Sequence, residues 1–429
     1  MTMALDPALF AFLEVYNGSW VPLPINRGGG TTGDDDILIT GLLAGLAVDG
    51  GGGDDRIRVT GLAGTVQGGI GSDQIYGGAG INIIDGGADN DYIEGGGGID
   101  TLNGGDGDDT LSYESATGGG ITLTLNASGG VNVGQFLPGR SNAGVDVIIG
   151  GFENVVGTNL NDWITGNTEA NKLIGLDGND TLNGGVGDDT LIGSAGNDTL
   201  VGGAGADTLN GGDGIDTLNY GATTGGGIIL VLEGGDMDLP IFDPEDSNAG
   251  LDEVLVGFEN IIGTNQDDRI HGSLGVNILS GLAGNDTIYG DCRIPFHEAG
   301  GDDIIIGGLG ADVMDGGGVL TGGTGNADKG NDTFQFLTKA DLIGDVINHF
   351  HCHDGTKFDD TLDFSAIDPD GNPSNGNGTF TMGSAAGQIL LSYISVNQWT
   401  VQIVGQAGVM TVNTEANSYW GLSAADFIL

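Results

Sequence analysis

Residues Gly175 to Asn219 read GLDGNDTLN, GGVGDDTLI, GSAGNDTLV, GGAGADTLN, GGDGIDTLN, five consecutive nonapeptides at one phase. Each fits G-G-x-G-x-D-x-U-x, with U a large aliphatic residue. A flexible glycine-rich linker carries no phased Asp or Leu, so this period specifies structure. Glycines at the first, second and fourth positions permit a tight turn through backbone angles that other residues avoid. The turn aims backbone carbonyls at one point. Asp180, Asp189, Asp198, Asp207 and Asp216, at the sixth position, add carboxylates. Calcium takes about six to eight oxygen ligands, more than one turn supplies, so an ion belongs between stacked turns. The seventh to ninth positions form a short strand whose Leu182, Leu191, Leu200, Leu209 and Leu218 point inward. Alternate nonapeptides fall on opposite sides, so about eighteen residues make one coil.

The pattern resembles the RTX (repeats-in-toxin, hemolysin-type calcium-binding nonapeptide) family over roughly residues 30 to 429, with two interruptions. The resemblance implies an all-β fold, a calcium-bound parallel β-roll with two side inserts and a C-terminal antiparallel β-region. It carries the family's ligand Asp onto the sixth positions of this chain. In the first block, residues 30–112, these are Asp35, Asp55, Asp73, Asn82, Asp91, Asp100 and Asp109. Asn82 is neutral and the weaker ligand, and Asp89 replaces a fourth-position glycine, which puts the site of Asp91 in doubt. The second block, 157–219, opens with Asp162 and Asn171 and continues through the five repeats quoted above. The third, 263–336, supplies Asp268, Asn277, Asp286, Asp303, Asp312 and Asp332.

The interruptions, 113–156 and 220–262, are near copies offset by about 106 residues (YESATGGGITLTL through GFENVVGTNLND, and YGATTGGGIILVL through GFENIIGTNQDD), a tandem duplication of block plus insert. Within them, Ile121–Leu125 and Ile228–Leu232 read as strands, and Phe152 and Phe258 are expected to tuck back on the core. Asp236, Asp238, Asp243, Glu245 and Asp246 form either a solvated acidic loop or an extra calcium site.

Asp and Glu number 60 against 10 Lys and Arg, a formal net charge of −50. Such a charge argues against nucleic acid and anionic membrane surfaces as partners, and it makes bound divalent cations the natural neutraliser. Without calcium the chain is expected to be expanded. No apolar stretch reaches the length of a transmembrane segment, and the first residues carry no basic region of the secretory type. Residues 1–29 are apolar enough to cap the first coil or to dock on a partner. Residues 337–429 change character: DDTLDFSAID resembles the segment after the roll in serralysin-type domains, and Gln388–Val404 and Val409–Val412 read as antiparallel strands with a turn at Asn397-Gln398. Asp426 before Phe427-Ile428-Leu429 resembles the uncleaved signal read by type I secretion machinery during export.

Cys292 and Cys352 form either one disulfide or two free thiols. His349, His351 and His353 share one face of a strand, a spacing that suits zinc or copper, or they are incidental. Catalytic signatures are missing: His297-Glu298 is followed by AGGDD rather than the second histidine of a zinc helix, and no G-x-S-x-G or phosphate loop occurs. The expectation is a non-enzymatic, secreted, extracellular protein binding many calcium ions, with a structural or cell-surface role and self-association into a homopolymer. The alternatives are a monomeric adhesin or accessory module, the non-catalytic part of a toxin or enzyme system, and an ice-binding face. Against the last, the outer Thr181, Thr199, Thr217 file does not extend through the other blocks.

Overall fold

The structure, a computed structural model, describes residues 13–16, 28–40, 46–60, 64–126, 146–223, 226–232, 253–254, 257–291, 301–317, 331–338, 341, 343–350, 360–363, 389–395, 398–403, 409–414 and 427–428. Its described elements are strands, apart from a single-residue helical turn. The chain divides into two compact units, Met1–Gly202 with Asn210–Gly214, and Gly203–Leu209 with Ile215–Leu429.

In the first unit, alternate repeats of the first block feed two parallel sheets. One contains Leu46–Gly52, Gly64–Ile70, Asn82–Ala88, Thr101–Asp106 and Val147–Gly150. The other contains Asp36–Ile39, Arg56–Val59, Gln74–Tyr76, Tyr92–Glu94, Thr110–Ser112, Asn154–Val156, Lys172–Asp177 and Thr190–Ala195. Register is fixed by the inward aliphatic of each repeat. Ile37, Ile57, Ile75, Ile93, Leu111, Val155, Leu173 and Leu191 pair in succession and are all fully buried. Sliding a strand by one residue would turn this file to solvent, so burial and register enforce each other. Many strands run past the expected ninth position: Thr181–Val186 includes the first three residues of the next repeat, because the ladder continues to the turn.

Both inserts begin and end as rungs of a roll. Thr122–Thr124 opens a sheet by pairing with Trp163–Thr165, and Val147–Gly150 closes another on Thr101–Asp106. Asn154–Val156 sits between Thr110–Ser112 and Lys172–Asp177 in register. In the second unit the same steps recur: Ile229–Val231 pairs with Arg269–His271, and Asn260–Ile262 lies between Thr217–Asn219 and Ile278–Ser280. Phe152 and Phe258 are buried as expected.

The N-terminal strand Leu13–Tyr16 pairs antiparallel with Asp36–Ile39 and covers a sheet edge, which a parallel rung would have extended. In the second unit Val346–Phe350 is followed by Met410–Thr414, Gln398–Ile403 and Ile389–Ser395, the last two pairings antiparallel as the sequence indicates. Phe427–Ile428 adds a parallel strand to Thr361–Asp363. His351, Cys352, His353, Cys292, Asp426 and the acidic residues 236–246 lie outside the described residues. His349 falls on the strand Val346–Phe350, without a described side chain.

Candidate metal centres

Every sixth-position residue named from the sequence is buried, none more than 4 % exposed, although all but three are carboxylates. Burying a carboxylate is costly unless its oxygens find partners. One oxygen finds a backbone N–H in the neighbouring coil. Asp35, Asp55, Asp73 and Asp91 each donate their backbone N–H to the Oδ1 of Asp55, Asp73, Asp91 and Asp109 respectively, all at 2.8 Å. The same link joins Asn82 to Asp100, Asp162 to Asp180, and Asp180 to Asp198. In the second unit it joins Asp268 to Asp286, Asp286 to Asp312, and Asp303 to Asp332.

The other oxygen is left over. Oδ2 of Asp55, Asp73, Asp91, Asp100, Asp109, Asp180, Asp286 and Asp312 is buried and accepts no hydrogen bond. Each lies beside the first-position glycine of its own repeat. A Cβ on Gly68 would strike both Asp73 Oδ2 and the carbonyl oxygen of Gly86, one coil on. Gly86 stands so toward Asp91 and Gly104, Gly175 toward Asp180 and Gly193, and Gly281 toward Asp286 and Gly307. A carboxylate oxygen and a carbonyl oxygen thus converge on one point with no proton between them. That is a cradle for a hard cation, and it explains a first-position glycine whose φ is ordinary. The second and fourth glycines answer a different need: Gly185 and Gly187 adopt φ of 107° and 132°.

Desolvation raises these carboxyls above their ordinary 3.8, with neighbouring carboxylates adding to it: to about 7 for Asp55, Asp91 and Asp180 and to about 8 for Asp286. Without a cation, protons would compete for the same oxygens. Among the described residues no three His, Cys, Asp or Glu side chains converge as a transition-metal set does. The donors here are one carboxylate per nonapeptide plus backbone carbonyls, the all-oxygen set that calcium takes.

Asp89, at the fourth position, keeps the turn with φ of 75°, and Leu176, Ser194 and Leu282, at second positions, hold φ of 81°, 86° and 70°. The Asp91 site is therefore built like its neighbours.

Sequence reasoning missed several members of the ladder. Asp100 donates its N–H to Asp146, Asp312 to Asp345, and Asp332 to Asp360. Asp345 Oδ2 is a further buried oxygen that accepts no hydrogen bond. All three precede a buried aliphatic by two residues, in DVI, DVI and DTL, but no G-G-x-G turn marks them. Glu153 and Glu259 stand in as acceptors from the N–H of Asp109 and Asp216.

A family model described as the RTX calcium-binding nonapeptide repeat (4 copies) matches residues 67–102, 85–115, 156–191, 183–218, 257–291 and 299–318. Among solved structures, the crystal structure of the extracellular lipase LipA from Serratia marcescens is similar at 16 % identity and a TM-score of 0.24, over 63 % of this chain. The chain spans 40 % of the length of that protein. No curated protein matches.

Proposed function

Starting from a chain that is an RTX-repeat, calcium-binding β-roll protein, we propose that it is a secreted extracellular scaffold that folds on calcium and acts at a cell surface without catalysis. The observation that carries this reading is the file of buried carboxylate oxygens facing carbonyl oxygens. Calcium, when bound, supplies two positive charges and an appetite for about six to eight oxygens. The ligands we assign are Oδ2 of Asp55, Asp73, Asp91, Asp100, Asp109, Asp180, Asp286, Asp312 and Asp345, with the first-position carbonyls of adjacent coils. Asp189, Asp198, Asp207, Asp216, Asp303 and Asp332 belong to the same set by position.

Ten cationic side chains cannot neutralise 60 carboxylates. The ion pair of Arg58 with Asp36, at 3.0 Å, is partly exposed and contributes little. Inside a cell, where calcium is scarce, the chain stays expanded and export-competent; outside, about millimolar calcium matches extracellular modules and closes the roll. Export through type I secretion machinery rests on the C-terminal resemblance.

Self-association into filaments or a surface layer is the assembly we propose for the neutralised chain, since a head-to-tail contact that does not close on itself propagates. The antiparallel strands Leu13–Tyr16 and Ile389–Ser395 favour a second reading, a capped monomer. Light scattering at millimolar calcium tests both: growth with protein concentration supports assembly, and a monodisperse 43.1 kDa particle overturns it. Circular dichroism under chelation tests the calcium step, and an unchanged β signal would overturn it.

A further inference from the structure

Four sixth-position residues match the calcium pattern in sequence and fail it in structure. Asp162 Oδ2 accepts the backbone N–H of Thr158 at 2.6 Å, and its Oδ1 accepts the Ile121 N–H at 2.6 Å and the Thr158 hydroxyl at 3.0 Å. Asp268 repeats this with Thr264 N–H at 2.6 Å, Ile228 N–H at 2.8 Å and the Thr264 hydroxyl at 2.8 Å. Asn171 Oδ1 accepts the N–H of Asn167 and Asn277 Oδ1 that of Ser273, both at 2.7 Å. Their amide groups donate to the carbonyls of Glu153 and Glu259, at 2.8 and 2.7 Å. In each case an N–H points at the oxygen that a cation would need.

The cause sits at the second position of the repeat. Thr158, Asn167, Thr264 and Ser273 replace the glycine there, and none adopts a positive φ. Each side-chain oxygen accepts the fourth-position N–H instead, from Leu160, Glu169, Gln266 and Gly275, at 2.8 to 3.1 Å. These local side-chain turns replace the glycine turn. They rotate the second-position N–H into the cradle. Thr31 does the same to Asp35 Oδ2 at 2.5 Å, leaving Oδ1 open.

We propose that residues 157–174 and 263–280, the coils that follow each insert, are closed by hydrogen bonds and bind no calcium through Asp162, Asn171, Asp268 or Asn277. The second-position residue decides the type of rung: glycine, or a residue forced to positive φ, leaves an oxygen for the ion, whereas Ser, Thr or Asn in an ordinary conformation fills that place with its own N–H. After each interruption the roll therefore restarts on a metal-independent coil, on which calcium coils stack. This rests on the calcium reading of the remaining coils.

Native mass spectrometry of the full chain in calcium counts bound ions and separates the two claims. Asp180→Asn is expected to lose at least one ion, while Asp162→Asn keeps the wild-type count. A lower count for Asp162→Asn overturns the proposal. Unchanged counts for both variants overturn the calcium reading itself. Should Asp162→Asn fail to fold, the double variant Thr158→Gly, Leu160→Gly decides. Restoring the glycine turn is expected to add an ion, and an unchanged count would overturn the second-position rule.

Discussion

Residues 157–174 and 175–192 are successive coils with the same period, the same buried aliphatics and the same link between sixth positions. In the earlier coil, Thr158 and Asn167 donate their N–H groups to Asp162 and Asn171. In the later one, Leu176 and Gly185 turn to φ of 81° and 107°, and Asp180 Oδ2 accepts nothing. The cradle geometry alone does not make a cation site: Gly157 and Gly175 both face a carboxylate and a carbonyl oxygen. The sign of the group aimed into the cradle does, and one backbone dihedral sets that sign. A repeat protein can thus hold metal-dependent and metal-independent coils in one ladder without changing its core.

Chelation should have the largest effect. Stripping calcium leaves converging oxygens unneutralised in the coils of the 175–192 type, and circular dichroism should lose most of its β signal. Hydrogen exchange sharpens the comparison: as calcium is withdrawn stepwise, amides of 157–174 should lose protection last. Simultaneous loss with 175–192 would show that the difference between coils carries no stability.

Next comes the cradle. Gly184→Ala places a Cβ against Asp189 Oδ2 and the Gly202 carbonyl. We expect the calcium midpoint to rise about tenfold, equivalent to about 1.4 kcal/mol. Gly33→Ala meets no atom within 4 Å and should leave it unchanged. Equal shifts in calcium titrations would remove the cradle from the account.

The pH dependence is smaller and has a fixed sign. In the metal-free roll, burial holds Asp55, Asp91 and Asp180 near 7 and Asp286 near 8, against 3.8 ordinarily. Between these limits the folded metal-free state binds more protons than the unfolded one. Its stability therefore falls as pH rises through that window. By the same sign, acidification in chelator should stabilise the metal-free roll against the expanded chain, so the β signal under chelation should be larger at pH 5 than at pH 8. Circular dichroism of the chelated protein from pH 8 to pH 5 measures this, and a β signal that does not rise on acidification would show that burial of these carboxyls does not set the stability of the metal-free roll.

The smallest effect concerns the turn. Ser194 holds φ of 86°, where a non-glycine residue is strained by about 1–2 kcal/mol. Part of that gain is cancelled by the freedom glycine adds to the unfolded chain, so Ser194→Gly should stabilise the calcium-loaded roll by about 0.5 kcal/mol. A destabilised variant in thermal melts would show that the serine side chain contributes more than its backbone costs.

Much of this was legible in the sequence because the repeat is a local code. A period of nine, an aliphatic two residues after each Asp, and the glycines before it place Leu182 inward and Asp180 beside Gly175. The insert strands and the burial of Phe152 and Phe258 follow from the same alternation. Asp146, Asp345 and Asp360 escaped because no G-G-x-G sequence precedes them, although the D-x-U spacing was present. Glu153 and Glu259 escaped because a longer side chain reaches the same N–H from an irregular turn. The distinction between Asp162 and Asp180 depends on where the second-position N–H points. Composition does not show that: Ser194 adopts a positive φ, whereas Ser273, also at the second position, does not.

The most direct test is a crystal structure of the calcium-loaded protein with ions located by anomalous scattering. The account predicts ions about 2.3–2.6 Å from Oδ2 of Asp73, Asp91, Asp180 and Asp286, and no ion on Asp162, Asn171, Asp268 or Asn277. An ion bound to Asp162 Oδ2, or no ion at Asp180, would contradict it.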